Sequence, residues 1–340
     1  MTGNNVTLLG LMHQNSKKGV RNKKMSGNNG KEIEKRDLLI LGSGPAGWSA
    51  ALYAARAELS PLVLTGMTLH GQASTTHAIE NYPGFPEGVG GTELGELFQT
   101  QAERFGAEIV IDIATEVDLS SAPYRIMTYG KEYEVKSLII STGADPKKLD
   151  VPGEKILTGR GVSYCATCDG WFFKGKDIVI VGGGDSAVEE GIFLTRFVNT
   201  VTIIHRRDEL RASAILQKRA FDNPKIKFMW DSEVIEIIGE DAVEAVRVKN
   251  NKTGQESVYE TNAVFMAIGH RPNSDLFVGQ LELDSHGYIV INQKMETAVP
   301  GVFAAGEIAD PNFRQVITSA GMGAAAAIQA TRYLENIQEN

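Results

Sequence analysis

Apolar positions in this chain fall in short runs, each closed by glycine or a polar turn. Asp37-Leu-Leu-Ile-Leu, Pro61-Leu-Val-Leu-Thr, Ser137-Leu-Ile-Ile-Ser, Asp177-Ile-Val-Ile-Val, Thr200-Val-Thr-Ile-Ile, Ala263-Val-Phe-Met-Ala and Gly301-Val-Phe-Ala-Ala all have this form. Runs this short, rich in aliphatic side chains and bounded by breakers, read as strands. Helical patterns lie between them. Gly47-Trp-Ser-Ala-Ala-Leu opens an Ala-rich helix, and Val188-Glu-Glu-Gly-Ile-Phe-Leu-Thr-Arg-Phe forms another. Ile317-Thr-Ser-Ala-Gly-Met-Gly starts a third helix whose small residues would let its end approach a flat ring, although tight helix packing accounts for them equally well. Strand alternating with helix predicts an α/β fold.

Glycine marks the turns. Thirty-six of the 340 residues are glycine, above the average usage of about 7%, and the excess is clustered. After the first strand come Gly42-Ser43-Gly44-Pro45-Ala46-Gly47, with the Ala-rich helix directly behind. Gly42 suits the tight turn, Gly44 lets backbone approach a pyrophosphate, and Gly47 lets helix pack on strand, with the phosphate at the helix N-terminus. The pattern recurs at Gly182, Gly184 and Ala187, in Gly-Gly-Gly-Asp185-Ser186-Ala. Two such turns predict two Rossmann-like dinucleotide-binding units. In the second unit an acid would grip a ribose 2′-hydroxyl; the chain instead has His205-Arg206-Arg207, with Arg211 one helical turn on. Guanidinium groups pair with phosphate oxygens, so this cluster favours NADPH over NADH. After the first unit's second strand come Thr65, Gly66 and the polar loop His70-Gly71-Gln72-Ala-Ser-Thr-Thr, suited to lining a cofactor.

Two further segments share a form: Thr142-Gly143-Ala144-Asp145-Pro146 and Gly269-His270-Arg271-Pro272 each follow a strand with glycine and then proline. This suits a chain leaving one domain for another, and the hinges belong there.

Charge is unevenly spread. The first 35 residues hold seven Lys or Arg against two Glu, whereas the remainder holds 27 basic against 40 acidic residues. An acidic body argues against a nucleic-acid partner. Residues 1–35 read as a disordered basic extension or, alternatively, residues 1–24 as an organelle transit peptide. Thr-Leu-Leu-Gly-Leu-Met is too short for a secretory h-region, and no run reaches the ~18 apolar residues of a membrane span, which leaves the cytoplasm as default.

The only two cysteines are Cys165 and Cys168, in Cys-Ala-Thr-Cys-Asp169. That spacing is a dithiol couple or half a zinc site, and the second half is missing: no other cysteine exists, and the six histidines show no close pair. Redox chemistry is the better reading, with Asp169 placed to move a proton to or from a thiolate.

Taken in order, Gly-Ser-Gly-Pro-Ala-Gly, Gly-Gln with Glu-Asn81-Tyr-Pro-Gly-Phe-Pro, Ser-Thr-Gly-Ala, Cys-Ala-Thr-Cys-Asp-Gly, Gly-Gly-Gly-Asp-Ser-Ala-Val-Glu-Glu, His-Arg-Arg-Asp-Glu-Leu-Arg, Ala-Ile-Gly-His-Arg-Pro-Asn and Phe-Ala-Ala-Gly-Glu with Arg-Gln-Val resemble the low-molecular-weight thioredoxin reductases, the short branch of the flavoprotein disulfide reductases. The resemblance runs from about Asp37 to the C-terminus. It implies two Rossmann-like domains, the NADPH domain (147–272) inserted into the FAD domain (36–146 and 273–340) and carrying the redox disulfide, in a homodimer. It implies FAD contacts at Gly42, Ser43, Gly44, Pro45, Ala46, Gly47, Thr65, Gly66, Gly71, Gln72, Asn81, Gly143, Gly306, Glu307, Arg314, Gln315 and Val316. For NADPH it implies Gly182, Gly184, Asp185, Ser186, Ala187, His205, Arg206, Arg207 and Arg211, and for catalysis Cys165, Cys168 and Asp169. Electrons would pass from NADPH by way of FAD and the disulfide to thioredoxin, the inserted domain turning on its hinges between two arrangements. Which cysteine attacks the protein substrate is left open by Cys-Ala-Thr-Cys.

Departures are few. His70-Gly71-Gln72-Ala73 stands where the family has Gly-Gly-Gln-Leu, placing an imidazole near the flavin site and removing an apolar side chain. Glu307 replaces the usual Asp and reaches one methylene further, and Trp171 replaces a smaller residue. Relatives that draw on ferredoxin, or that oxidise dithiols, have no use for the phosphate clamp retained here. The flavoprotein of hydroperoxide reduction has a long N-terminal redox region that 35 residues cannot form, and a non-catalytic sensor has no need of the dithiol.

Overall fold

The computed structural model describes residues 33–76 and 78–338. Most of the basic extension, with any transit peptide, therefore lies outside the described residues. The first strand, Ile33–Leu41, begins inside the expected extension because its charged start is paired on both sides. Arg36 bonds Glu34 (2.8 Å) and Glu108 (2.6 Å), and Lys131 reaches Glu34 at 2.7 Å.

Ile33–Leu41 is parallel to Glu132–Ile140 along its whole length, and Leu62–Leu64 and Glu108–Val110 follow on its other side. Tyr124–Thr128 and Ala114–Asp118 continue the sheet antiparallel beyond the first part of Glu132–Ile140. Along the last part, Leu138–Ile140, the neighbour is instead Val302–Ala304, brought in from near the C-terminus. Thus the first dinucleotide unit is completed only by residues some 160 positions downstream. Alternate residues serve opposite faces: Leu38 and Ile40 pack with Trp48, Ala51 and Ala327, while Leu39 and Leu41 pack with Tyr124, Ile126 and Phe277. Both faces are covered, which is why the strands read as unbroken apolar runs. Helix Pro45–Arg56 lies against helix Val316–Gln338 so closely that a Cβ on Gly323 would sit 2.0 Å from the Ala46 carbonyl oxygen.

A second sheet, wholly parallel, is ordered Ile226–Met229, Thr200–Ile204, Asp177–Val181, Ala263–Met266, Val162–Ser163. Helices Asp185–Leu194 and Ala214–Phe221 accompany it, and an antiparallel meander runs through Ser232–Ile238, Ala245–Asn250 and Glu256–Glu260. The fold is α/β, with one mixed sheet whose centre is parallel and a second sheet that is parallel throughout. Ala144–Pro146 and His270–Pro272, the two expected hinges, pair with each other as an antiparallel ribbon.

Candidate active site

At the first glycine turn, contacts dictate two of the three glycines. Gly42 has φ +105°, and a Cβ there would lie 2.3 Å from Ser141 oxygen; on Gly47 it would lie 2.0 Å from Gly42 oxygen. A Cβ on Gly44 meets nothing within 4 Å. That open side borders the N-terminus of helix Pro45–Arg56, which has no side-chain cap and no acid in its first turn. Free N–H groups and the helix dipole there favour an anion. The second turn repeats this: Gly182 is forced by Ala267 oxygen at 2.4 Å, and Gly184 faces open space. Asp185 opens the following helix, but its Oδ1 accepts from Ser213 N–H (2.7 Å) and is held to one side. A Cβ on Gly183 would strike the His205 ring, so that imidazole rests on the turn. His205 is 4% exposed and its Nε2 has no partner. Burial, followed by Arg211, Arg207 and Arg206, pushes its pKa down, so the ring is neutral. The three arginines are exposed, and among the described residues none forms an ion pair. An orphaned ring nitrogen and three uncompensated cations fit a phosphorylated nucleotide.

A cleft of about 1640 Å³ gathers nearly all of the first set. Of the expected flavin contacts only Gly47 is missing from its wall; Cys165, Cys168 and Asp169 are all present. Of the expected pyridine-nucleotide contacts, only Ser186 reaches it. The loop residues are tied down individually. Gly71 (φ +65°) passes over Gly44, where a Cβ would lie 3.0 Å from its Cα, and Gln72 donates to Asp145 at 2.7 Å and to the Ala144 carbonyl. Asn81 donates to Gln315 Oε1 at 3.1 Å.

The cysteines flank the start of a one-turn helix, Ala166–Asp169, and are joined as a disulfide with their Cα atoms 5.3 Å apart. Cys168 N–H donates to Cys165 Sγ (3.2 Å), and Ser163 Oγ donates to Asp169 Oδ2 (2.6 Å). Burial raises the Asp169 pKa, with the Ser163 hydroxyl opposing it. The carboxyl beside Cys168 thus holds a proton at higher pH than an exposed aspartate.

Arg314 organises the other side of the cleft. Its backbone is left-handed (φ +51°), and its Nη1 donates to His270 Nδ1 at 2.6 Å. Arginine can only donate, so His270 accepts and is neutral there; burial, then Arg314 and Lys147, lower its pKa to about 4. Glu307 and Glu190 are each pushed up to about 7 by burial, with Arg314 acting against the shift. Glu190 was not singled out in the sequence. Its signal is spacing, since it lies three residues after Ala187 and four before Leu194, on the buried stripe of the fingerprint helix.

His70 corrects an expectation. Its imidazole does not line the cleft but turns into the layer behind it, 5% exposed, where Nδ1 accepts from Trp48 Nε1 at 3.1 Å. Gly95 makes the room: a Cβ there would lie 2.4 Å from His70 Cβ. Ala73 lines the cleft on one side, and the gap it shares with His70 and Trp48 on the other is too small for water. Trp171 packs edge-on against Phe197 yet remains 53% exposed.

One glycine turn sharing a cleft with the disulfide, and a second glycine turn that only Ser186 carries to that cleft, define an oxidoreductase that couples a pyridine nucleotide to a disulfide. The pattern of the pyridine nucleotide-disulphide oxidoreductases matches residues 36–323, and the chain belongs to that family, whose members work with a flavin and a pyridine nucleotide. Within it, the thioredoxin reductase of Streptomyces coelicolor is 48% identical over 307 residues, covering 89% of this chain and 95% of the relative. The structure of the Streptococcus pyogenes thioredoxin reductase is 44% identical and covers 89% of this chain and 99% of that one, with a TM-score of 0.85. That of the Lactococcus lactis enzyme in its FR conformation is 42% identical over 88% of this chain and 99% of that one, with a TM-score of 0.61.

Proposed function

We propose that this chain is an NADPH-dependent thioredoxin-disulfide reductase, passing electrons through FAD and the Cys165–Cys168 disulfide to oxidised thioredoxin. The observation that carries the reading is the dithiol, with Asp169 beside it, opening into the same cleft as the first glycine turn. Kinship with thioredoxin reductases over 89% of the chain supports the protein substrate. The open N-terminus at Gly44 would take the FAD pyrophosphate, with Glu307 toward the ribityl hydroxyls and Gln72, Asn81 and Arg314–Val316 around the ring. His205, Arg206, Arg207 and Arg211 would hold the 2′-phosphate that distinguishes NADPH. When bound, flavin supplies the two-electron link between hydride and disulfide. The protein's own task is to position the disulfide and to supply one proton as the S–S bond opens, the role we give Asp169.

Residues 36–146 with 273–340 form the FAD domain in this reading, and 147–272 the NADPH domain, joined by the paired crossings at Ala144–Pro146 and His270–Pro272. The nucleotide clamp lies outside the cleft that holds the disulfide, so hydride transfer requires a second arrangement. Two relatives of nearly equal identity differ in TM-score, 0.85 against 0.61, which supports rotation of one domain on the other. The motif resemblance implies a homodimer, and we place the enzyme in the cytoplasm.

The test is NADPH oxidation by the FAD-loaded protein with thioredoxin and a colorimetric disulfide, beside Cys168→Ser. Turnover that depends on Cys168 is expected. Flavin reduced by NADPH with no turnover would remove thioredoxin as substrate.

A further inference from the structure

One hydroxyl connects the disulfide to the opposite wall of the cleft. Thr167, the third residue of Cys-Ala-Thr-Cys, has its Oγ1 3.2 Å from Gln315 Nε2 and 3.4 Å from Cys165 Sγ. Chemistry settles the direction of each bond. Gln315 Oε1 accepts from Asn81, and its Nε2 lies 3.1 Å from the Arg314 carbonyl and 3.2 Å from that of Phe313, which fixes the amide orientation. An amide nitrogen only donates, so the Thr167 oxygen accepts. Its single proton is left for Cys165 Sγ, a disulfide sulfur with no proton of its own. Cys168 N–H donates to the same sulfur at 3.2 Å. Cys165 thus receives two donors, while Cys168 directly precedes Asp169, whose pKa burial raises.

We propose, resting on the function above, that Thr167 belongs to the redox centre: it stabilises the thiolate that Cys165 becomes and, through Gln315, registers the disulfide turn against the flavin side of the cleft. Opening the S–S bond consumes two electrons, delivered from the pyridine nucleotide by way of flavin, and one proton. One sulfur leaves as a thiol and the other as a thiolate. The two donors place the charge on Cys165, and Asp169 gives the proton to Cys168. A hydrogen bond to an anion is stronger than one to neutral sulfur, so the Thr167 contact tightens as the disulfide opens. The bond to Gln315 joins residues 148 positions apart and holds only while the turn faces that wall.

The test compares Thr167→Val, which keeps the shape and deletes the hydroxyl, with Thr167→Ser, which restores it, both as holoenzyme. In dithiol-reduced protein, the pH dependence of iodoacetamide labelling at Cys165 is followed by peptide mass spectrometry. Anaerobic rapid mixing follows flavin reduction by NADPH and then flavin reoxidation by the disulfide. Thr167→Val is expected to raise the Cys165 pKa by about one unit, leaving about tenfold less thiolate at neutral pH. It should also slow reoxidation while flavin reduction is unchanged, and Thr167→Ser should recover both. A Val variant with the parent's labelling profile and reoxidation rate would overturn the proposal. Failure of NADPH to reduce the parent's flavin would instead count against the function, and the labelling profile would still decide Thr167.

Discussion

Gly95 shows how a single residue's sign depends on its neighbour. In a helix interior Gly→Ala usually stabilises by about 1 kcal/mol, but at position 95 the new methyl would meet the buried His70 side chain at 2.4 Å. Overpacking costs about 1 to 3 kcal/mol, so Gly95→Ala should lower the melting temperature. With His70→Gly, which suits the left-handed φ of +66° there, the same Gly95→Ala change should become stabilising. Thermal unfolding of the two singles and the double checks this reversal. Arg206 is the other decisive residue. Arg206→Ala should raise KM for NADPH about tenfold or more and leave KM for NADH within about twofold, since each charge-assisted bond to phosphate contributes about 1.5 to 3 kcal/mol. Steady-state kinetics with both nucleotides decides it. The basic run at 205–211 was legible because it directly follows a strand. The burial of His70 was not, because it depends on Gly95 and Trp48 from two other elements.

Between elements, Glu154 is a buried tie. It is 3% exposed and accepts from Leu149 N–H (3.1 Å), Asp150 N–H (2.7 Å) and Tyr164 OH (2.9 Å), linking the chain after the first crossing to the residue before Cys165. The Tyr164 pKa is raised by burial and then by this carboxylate. Tyr164→Phe removes one donor of three and should cost about 1 to 2 kcal/mol. Glu154→Gln turns an amide N–H toward another N–H and should cost more, about 2 to 3 kcal/mol, as denaturant midpoints would show. Matching glycine and proline singled out both segments in the sequence, but not that they pair as a ribbon, since the partners are separated by more than 120 residues. The meander Ser232–Glu260 escaped as well. Its charged positions, such as Glu236 opposite Arg247, lie half-exposed and break the apolar runs that mark the buried strands.

For the whole molecule, one contribution to the pH dependence of stability comes from half-buried carboxyls around Arg314. Glu190 has a folded pKa of about 7 against 4.5 for an ordinary glutamate. Between these values the folded state binds the proton more strongly than the unfolded state, so stability falls as pH rises through that window and stays reduced above it. Glu190→Gln should therefore raise the melting temperature at pH 8 and leave it nearly unchanged at pH 4.5, a pattern that thermal scans at the two pH values will check. The same arrangement separates what the sequence by itself determined from what only the tertiary structure decided. The two glycine turns, the cysteine pair with its neighbouring acid and the basic run at 205–211 depend on residues adjacent in the chain, and local geometry suffices to read them. Which groups share the cleft, which way His70 faces, how far Glu190 and Glu307 are shifted, and the contact from Thr167 to Gln315 depend on segments a hundred or more residues apart or on burial between elements. Desolvation and packing are properties of the surroundings, and the folded chain alone supplies those.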